Sequence, residues 1–423
     1  MIKLTDQQNK ALQTVQQNKL SLLMGYPGTG KTTNTKEIVQ WAKKQNYSIA
    51  LCSPTGKAAH VLSEACEHPA STIHRLLKPV VEKTNGKVHF SFKHNKGNLL
   101  PFTFIIVDEC SMIGNDLMSN LLQAINPEKT KVLLVGDLAQ LPSVQPGNIL
   151  ADLISCEMIP YVELTKVHRH DGEIINFITA IRTNKLYTLP KALDPKSGKN
   201  FVHIECFSPQ AIHDTVVKLA TENMVRRGYD TTKDVQILSP VNSKTVLSCD
   251  VFNESIQKIV NPQPGKACIE NSVFRLGSKV INTQNIYDAV SADHGAKKEI
   301  LLNGDMGKII DLCGVDKSMI VKFQNPDRKI KISKYYHHLK LAYSLTIHRA
   351  QGSQFPVVIL PVHSTFAYNY NRALMYTAAS RAQEILITVG QRSAISQAVR
   401  SVKVYQRKTF LSEKIQNRLL KDL

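Results

Sequence analysis

LSLLMGYPGTGKTTNTKEIVQWAKKQ, residues 20–45, decides the fold. A short apolar run ends at a glycine, a glycine-rich turn follows, and a helical pattern takes over, which is the order strand, turn, helix. GYPGTGKT at 25–32 satisfies G-x-x-x-x-G-K-T in the structural setting that motif requires. Glycines let the backbone turn tightly and aim N–H groups at phosphate oxygens, and the start of the helix adds a field that favours anions. The expected cradle is Gly25, Pro27, Gly28, Thr29 and Gly30, with Thr33 completing the run. Lys31 is expected to reach the β- and γ-phosphates and Thr32 to set its hydroxyl on Mg²⁺, making ATP and Mg²⁺ the expected ligands.

Outward from this loop, YSIALCS at 47–53, FTFIIVDE at 102–109 and KVLLVGD at 131–137 repeat the motif of a short β-rich run followed by polar turn residues. The rhythm is that of an α/β fold with a parallel sheet and crossover helices. It breaks at 78–101, where Asn85-Gly86 between alternating residues predicts a small basic β-hairpin leaning on the first lobe. A second α/β lobe starts near 166, with HDGEIINFITAIRT as helix and DVQILSPVN as strand. From 277 to 338 the runs GSKVINTQN, MGKIIDL, SMIVKF and RKIKIS predict a β-rich, barrel-like insertion. The α/β pattern resumes with VVILPVH, a helix through NRALMYTAASRA and the strand EILITVG, and the chain ends in a basic tail.

Lys and Arg total 53 against 34 Asp and Glu, a formal charge of +19, which favours a polyanionic partner or an acidic membrane surface, or else a merely solubilising surface. No secretory signal or long apolar run is visible, so a cytoplasmic chain with no membrane span is expected. Eight scattered cysteines without a C-x-x-C predict free thiols rather than disulfides or structural metal.

Asp108 and Glu109 end an apolar strand, where two acids are costly to bury without a cation or partner. Asp108 is suited to hold Mg²⁺ and Glu109 to polarise an attacking water. In VGDLAQLPSV, 135–144, Gln140 could sense the γ-phosphate, while Asp137 could face the same sheet edge or simply cap the next turn. Arg169 and Arg381 could each supply a guanidinium to a transferring phosphoryl group, or be ordinary surface arginines.

Taken in order, these runs resemble the superfamily 1 helicases, and within them the RecD-like branch. LTDQQ at 4–8 is similar to the adenine-recognition motif, with Gln8 as the base contact; GYPGTGKTT and VDECS resemble the Walker A and B motifs. CSPTGKAA at 52–59 resembles the first DNA-contacting motif, STIHRLL at 71–77 a run that follows it, and VGDLAQLPSV the Gly-Asp-x-x-Gln-Leu-Pro motif. LTKVHRH carries the first arginine, Arg169; LLNGDMGKI matches a run near the small inserted domain; LTIHRAQGSQFPVVIL resembles the coupling motif; and LMYTAASRAQEILITVG carries the second arginine, Arg381.

The resemblance implies two RecA-like P-loop domains with ATP at their interface. Lobe 1A would comprise 1–77 and 101–165, a β-hairpin pin (1B) 78–100, lobe 2A 166–276 and 339–400, an SH3-like insertion (2B) would lie within 277–338, and 401–423 would be a basic C-terminal tail. It implies a compact, monomeric motor that moves 5′ to 3′ on single-stranded DNA and opens forks or tailed duplexes, working with repair or recombination proteins, without a long N-terminal extension or a nuclease motif. DNA contacts are implied for Pro54, Thr55, His74, Phe92, His94, Thr346, His348, Arg349 and Gln351, and nucleotide contacts for Gly352 and Gln354, with Gln351 bordering both sets. Phe90, Phe92 or His74 would stack on bases, although a hairpin aromatic can equally pack on its own lobe. Four departures stand out: Cys110 for alanine, His170 for glutamine, Arg349 for lysine and Gln354 for glutamate.

Overall fold

The computed structural model describes residues 4–84, 87–167, 172–185, 187–262, 273–293, 298–313, 318–324, 327–333, 336–402 and 409. The chain divides into two compact units, one of residues 1–169 with 403–423 and the other of residues 170–402. Arg169 and His170, and all of the expected tail except 401, 402 and 409, lie outside the described residues. Among the described residues, no helix is long and apolar enough to cross a membrane.

The first unit is built on a six-stranded sheet in the spatial order Ala70–Thr72, Ile49–Ser53, Phe104–Val107, Lys131–Gly136, Leu20–Gly25, Tyr161–Leu164. Every pairing is parallel. Successive side chains of a strand point to opposite faces. Leu22, Ile105, Val107 and Leu134 therefore enter one core, with Leu117, Met118 and Leu121 of the helix Asn115–Gln123. Leu23, Phe104, Ile106 and Val135 enter the other, with Ile38, Val39 and Ala42 of the helix Lys31–Lys44. Covering both faces explains why these strands read as continuous apolar runs, each fully buried branched side chain contributing about 1.5–3 kcal/mol.

The hairpin forms from Pro79–Thr84 and Lys87–Phe92, antiparallel, with Thr84 opposite Lys87. Its Asn85-Gly86 turn falls outside the described residues. The base is tied to the unit: the Lys93 N–H donates to Lys78 O at 2.9 Å and the His94 N–H to Leu77 O at 3.0 Å. Phe92 is buried in the same core as Ile73, Leu77 and Leu100. Of the two readings open for this ring, base stacking or packing on its own lobe, its surroundings match the second: it anchors the hairpin, 5.9 Å from the ring of His74.

The second unit holds an all-parallel five-stranded sheet in the order Ser344–Thr346, Val235–Ser239, Phe355–Val362, Ala382–Gly390, Phe201–Glu205. The helix expected through NRALMYTAASRA stops at Ala379, and residues from Ala382 already belong to a strand, so Arg381 sits in the turn between them. A separate antiparallel sheet has seven strands, in the order Lys298–Leu301, Ile286–Ser291, Arg328–Ile332, Ser318–Phe323, Met306–Cys313, Lys279–Asn282, Leu339–Leu341. It has its own core, including Val280, Leu301, Val321, Phe323 and Ile330. Two of its strands, Ile286–Ser291 and Lys298–Leu301, were not legible in the sequence, and Leu339–Leu341 carries the sheet three residues past the expected boundary at 338.

At the end of Ala382–Gly390, Gly390 has φ +138°, and a Cβ there would lie 1.8 Å from Val362 O on the neighbouring strand. Gly390→Ala should destabilise the second unit by about 2 kcal/mol or more. Chemical denaturation checks this; a midpoint matching the parent would contradict the close backbone approach.

Candidate nucleotide site and nucleic-acid contacts

The loop 25–32 lies between the strand Leu20–Gly25 and the helix Lys31–Lys44. Gly28 and Gly30 take φ of 80° and 84°, the left-handed region where glycine carries no Cβ penalty. Thr29 is buried and donates from Oγ1 to Tyr26 O at 2.8 Å, pinning the loop internally. Lys31 Nζ donates to Gly25 O at 2.6 Å and to Tyr26 O at 3.3 Å, so its ammonium is held over the loop. Thr32 is exposed at the helix start, while Pro27, Gly28, Gly30 and Thr33 are partly accessible.

Asp108 follows the strand Phe104–Val107, one strand removed from Leu20–Gly25. Its N–H donates to Cys52 O at 2.9 Å, and its Oδ1 accepts from the Glu109 N–H at 2.8 Å. Burial pushes the Asp108 carboxyl up to about 7, with the Glu109 carboxylate adding to the shift and Lys31 opposing it. Glu109 has φ 52°, a left-handed conformation that costs a non-glycine residue about 1–2 kcal/mol. That strain turns the chain into the short helix Cys110–Met112. Cys110, at the position usually held by alanine, is fully buried, and burial raises its thiol pKa.

Asp137 caps the next turn, as one reading of the sequence allowed: Oδ1 accepts from the Ala139 N–H at 3.0 Å. Its other oxygen accepts from Gln140 Nε2 at 3.3 Å, so the same carboxylate orients the buried Gln140. Gln8 is buried and closes a capping box, with Oε1 accepting from the Thr5 N–H at 3.0 Å. Its neighbour Gln7 grips the far end of the sheet through both amide atoms: Nε2 donates to Thr165 Oγ1 at 2.8 Å, and Oε1 accepts from the Thr165 N–H at 3.0 Å. Sequence reasoning missed Gln7. It also missed the Tyr26 hydroxyl, which donates to Glu163 on the strand beside the loop. Only the doubled glutamine of LTDQQ hinted at the first, and nothing local pointed to the second.

Thr55 caps the helix Gly56–Cys66, accepting from the Ala58 N–H at 3.3 Å, with Pro54 partly accessible beside it. His74 is exposed, and His94 is partly accessible with Nδ1 3.3 Å from Asn98 O.

In the second unit, SLTIHRAQGSQFP is less uniformly accessible than its polarity suggests. Ser344–Thr346 is a buried edge strand, and Thr346 Oγ1 caps the following turn by accepting from the Arg349 N–H at 3.4 Å. His348 and Arg349 are exposed, whereas Thr346 and Gln351 are each 7% exposed. The exposed side chains of this stretch are therefore His348, Arg349 and Gln354, with Gln351 largely covered. Thr346 instead lines a cavity of about 560 Å³ with Asn253, Ser344 and Arg349. Gly352 takes φ 72°, and Gln354 is exposed and accepts from Gln383 Nε2 at 3.1 Å. Arg381 is not a projecting arginine: it is 4% exposed and donates to Thr377 O, Ser353 O and Ser380 Oγ at 3.1, 3.2 and 2.9 Å.

An AAA domain family model matches residues 3–205, and a UvrD-like helicase C-terminal domain model matches residues 341–389. The chain is 32% identical over 391 residues to the ATP-dependent RecD2 DNA helicase of Deinococcus radiodurans, covering 92% of this chain and 50% of that protein. It is 28% identical over 424 residues to the RecBCD enzyme subunit RecD of Mycolicibacterium smegmatis, covering 93% of this chain and 72% of that one. It thus spans half the length of the first relative. Among solved structures, a Pif1 helicase from Bacteroides bound to ADP-AlF3 and single-stranded DNA superposes with TM-score 0.54 at 20% identity, covering 100% of this chain and 98% of that one. Pif1 from Candida albicans gives 0.55 at 17%, covering 99% and 100%. At these identities the likeness is one of fold.

The Asp108 carboxyl sits above its ordinary value of 3.8, so between about pH 4 and 7 the folded chain holds a proton that the unfolded chain has released. Stability contributed by this group therefore falls as pH rises through that window and levels off above it. Asp108→Asn removes the dependence. Without magnesium or nucleotide, its thermal midpoint should exceed the parent's by a few degrees at pH 8 and converge with it toward pH 4. A gap that widens on acidification would contradict the assignment.

Proposed function

From its likeness to RecD-type superfamily 1 helicases, we propose that the chain is an ATP-driven motor that moves 5′ to 3′ along single-stranded DNA and opens duplex ahead of it. The observation that carries this reading is the meeting, at one edge of one parallel sheet, of a glycine loop holding Lys31 and a strand end holding Asp108 and Glu109. A chain that only bound nucleic acid would have no use for that pair.

In this reading, Gly25, Pro27, Gly28, Thr29, Gly30 and Thr33 supply the loop that wraps the phosphates. Lys31 exchanges its two loop carbonyls for phosphate oxygens. Thr32 and Asp108 would hold Mg²⁺: their oxygen donors fit a hard cation, which would supply charge neutralisation at the phosphates when bound. Burial opposes loss of the Asp108 proton, and a bound cation would offset that cost by pairing with the carboxylate. Glu109 orients the attacking water, and Gln140, steered by Asp137, reads the γ-phosphate. Gln8 keeps Nε2 for the adenine, since Oε1 is committed to its capping box. Arg169 and Arg381 stabilise charge on the transferring phosphoryl group, Arg381 by leaving local acceptors that include Thr377 O, Ser353 O and Ser380 Oγ. Gly352 and Gln354 complete the nucleotide contacts.

Pro54, Thr55, His74 and His94 on one unit, and His348 and Arg349 on the other, grip the DNA backbone, which gives affinity and position without sequence reading. The net charge of +19 suits such a partner. We assign 78–100 as the strand-separating pin and the β-rich region within 277–338 as an SH3-like module, with lobe 1A at 1–77 and 101–165, lobe 2A at 166–276 and 339–400, and a tail at 401–423. Repair and recombination are the processes such a motor serves, and a monomer suffices for the cycle.

Lys31→Ala should lower DNA-stimulated ATP turnover by about 100-fold or more; turnover matching the parent would refute the site. Strand displacement on 5′-tailed and 3′-tailed duplexes, with and without ATP, tests direction: opening that needs the 5′ tail is expected, and preference for the 3′ tail would reverse the assigned polarity.

A further inference from the structure

Only Ala342 and Tyr343 separate Leu339–Leu341, a strand of the antiparallel sheet, from Ser344–Thr346, the edge strand that leads into His348 and Arg349. So short a connection between two sheets could be a hinge. Its hydrogen bonding makes it the reverse. The Ala342 N–H donates to Lys279 O at 2.9 Å. Gln236, fully buried in the parallel sheet, donates from Nε2 to both Ala342 O and Tyr343 O, each at 3.1 Å. Tyr343 O also accepts from the Ile237 N–H at 3.1 Å. The next residue is held from the other side: Asn253 accepts from the Ser344 N–H at 2.8 Å and donates to Ser344 O at 3.1 Å.

The side chains lock the same joint. Tyr343 is 1% exposed, and its hydroxyl donates to Gln257 Oε1 at 2.9 Å and accepts from the Lys279 N–H at 3.3 Å. Gln257 in turn donates to Ser278 Oγ at 2.7 Å, at the threshold of the antiparallel sheet. Lys279, on the first strand of that sheet, is buried and sends its ammonium across to the parallel sheet. There it donates to Val235 O at 2.9 Å and Gln236 Oε1 at 3.0 Å, 5.9 Å from the centre of the Phe355 ring. A dry apolar seam would join two sheets as firmly, but it would tolerate sliding. Directed hydrogen bonds in a low-dielectric interior do not, because each lost partner leaves a buried polar group unsatisfied.

Resting on the motor reading above, we propose that this buried set is a rigid coupling. It makes the antiparallel module and the His348–Arg349 loop move as one body, so that load met by the module is felt at the DNA grip. Gln236, Gln257, Lys279 and Tyr343 are positioning residues: they act through the strand Ser344–Thr346 and touch neither nucleotide nor DNA.

The test is the ratio of base pairs opened to ATP hydrolysed on a tailed duplex. Tyr343→Phe keeps the ring and deletes only the hydroxyl. It should leave single-strand-stimulated ATP turnover near the parent's while lowering the ratio by about fivefold, the effect of one buried hydrogen bond spent on coupling. Gln257→Met attacks the same contact from the other side and should give the same split, which guards against a fold defect peculiar to one variant. If the folded variants lose thermal stability but keep the parent's ratio, the joint is structural only and the inference is overturned. A parent chain whose ATP turnover DNA does not raise would instead overturn the motor reading, and this inference with it.

Discussion

Parallel strands all send their carboxyl ends to one edge of a sheet, and the chemistry of this protein depends on that constraint. In the first unit, the residues after Gly25, Ser53, Val107 and Gly136 are, respectively, the glycine loop, Pro54 and Thr55, Asp108 and Glu109, and Asp137 with Gln140. Groups far apart in sequence are gathered because the strands that deliver them lie side by side. In the second unit, the same rule brings the turn holding His348 and Arg349 out at the carboxyl end of Ser344–Thr346. Open α/β sheets bind their ligands at such edges for this reason.

The edge is also where charge is least comfortable. Asp108 ends a strand that is otherwise wholly apolar, and burial holds its carboxyl near neutrality. Lys31 and Arg381 are both satisfied by local carbonyls or hydroxyls, so neither is left as a bare buried cation. In the proposed cycle, each group would exchange a modest local set of hydrogen bonds for a stronger, charge-assisted one with a phosphate. The energetic difference between these two sets is what a nucleotide can use to change the chain's state.

Much of this was legible beforehand because it rests on local pattern. The apolar runs at 20–25, 104–107 and 131–136 name their strands, and Asn85-Gly86 between alternating residues names the hairpin. Strand Ile286–Ser291 stayed hidden because IYDAVS does not alternate apolar with polar residues: a register irregularity between Ile286 and Ala289 breaks the period, and Tyr287 and Val290 face solvent. Phe92 and Gln351 were ambiguous for the opposite reason. Aromatic and amide side chains suit both DNA and a packed interior, and the surroundings that place these two inside come from elsewhere in the chain. Gln7, Tyr26 and Tyr343 were unreadable because the partners described above lie between 64 and 158 residues away.

By itself, then, the sequence determined the α/β class, the phosphate loop, the strand-end acids and the ordered runs that carry the family likeness, since each depends on residues adjacent along the chain. Tertiary structure alone decided which polar side chains are committed and which are accessible. It made Phe92 an anchor, divided SLTIHRAQGSQFP into a buried strand and an exposed turn, and drew Arg381 inward. It also turned the two residues between two sheets into a fixed joint. The physical reason is that backbone preference and apolar periodicity act over a few residues, whereas burial and hydrogen-bond satisfaction are set by neighbours that only folding brings together.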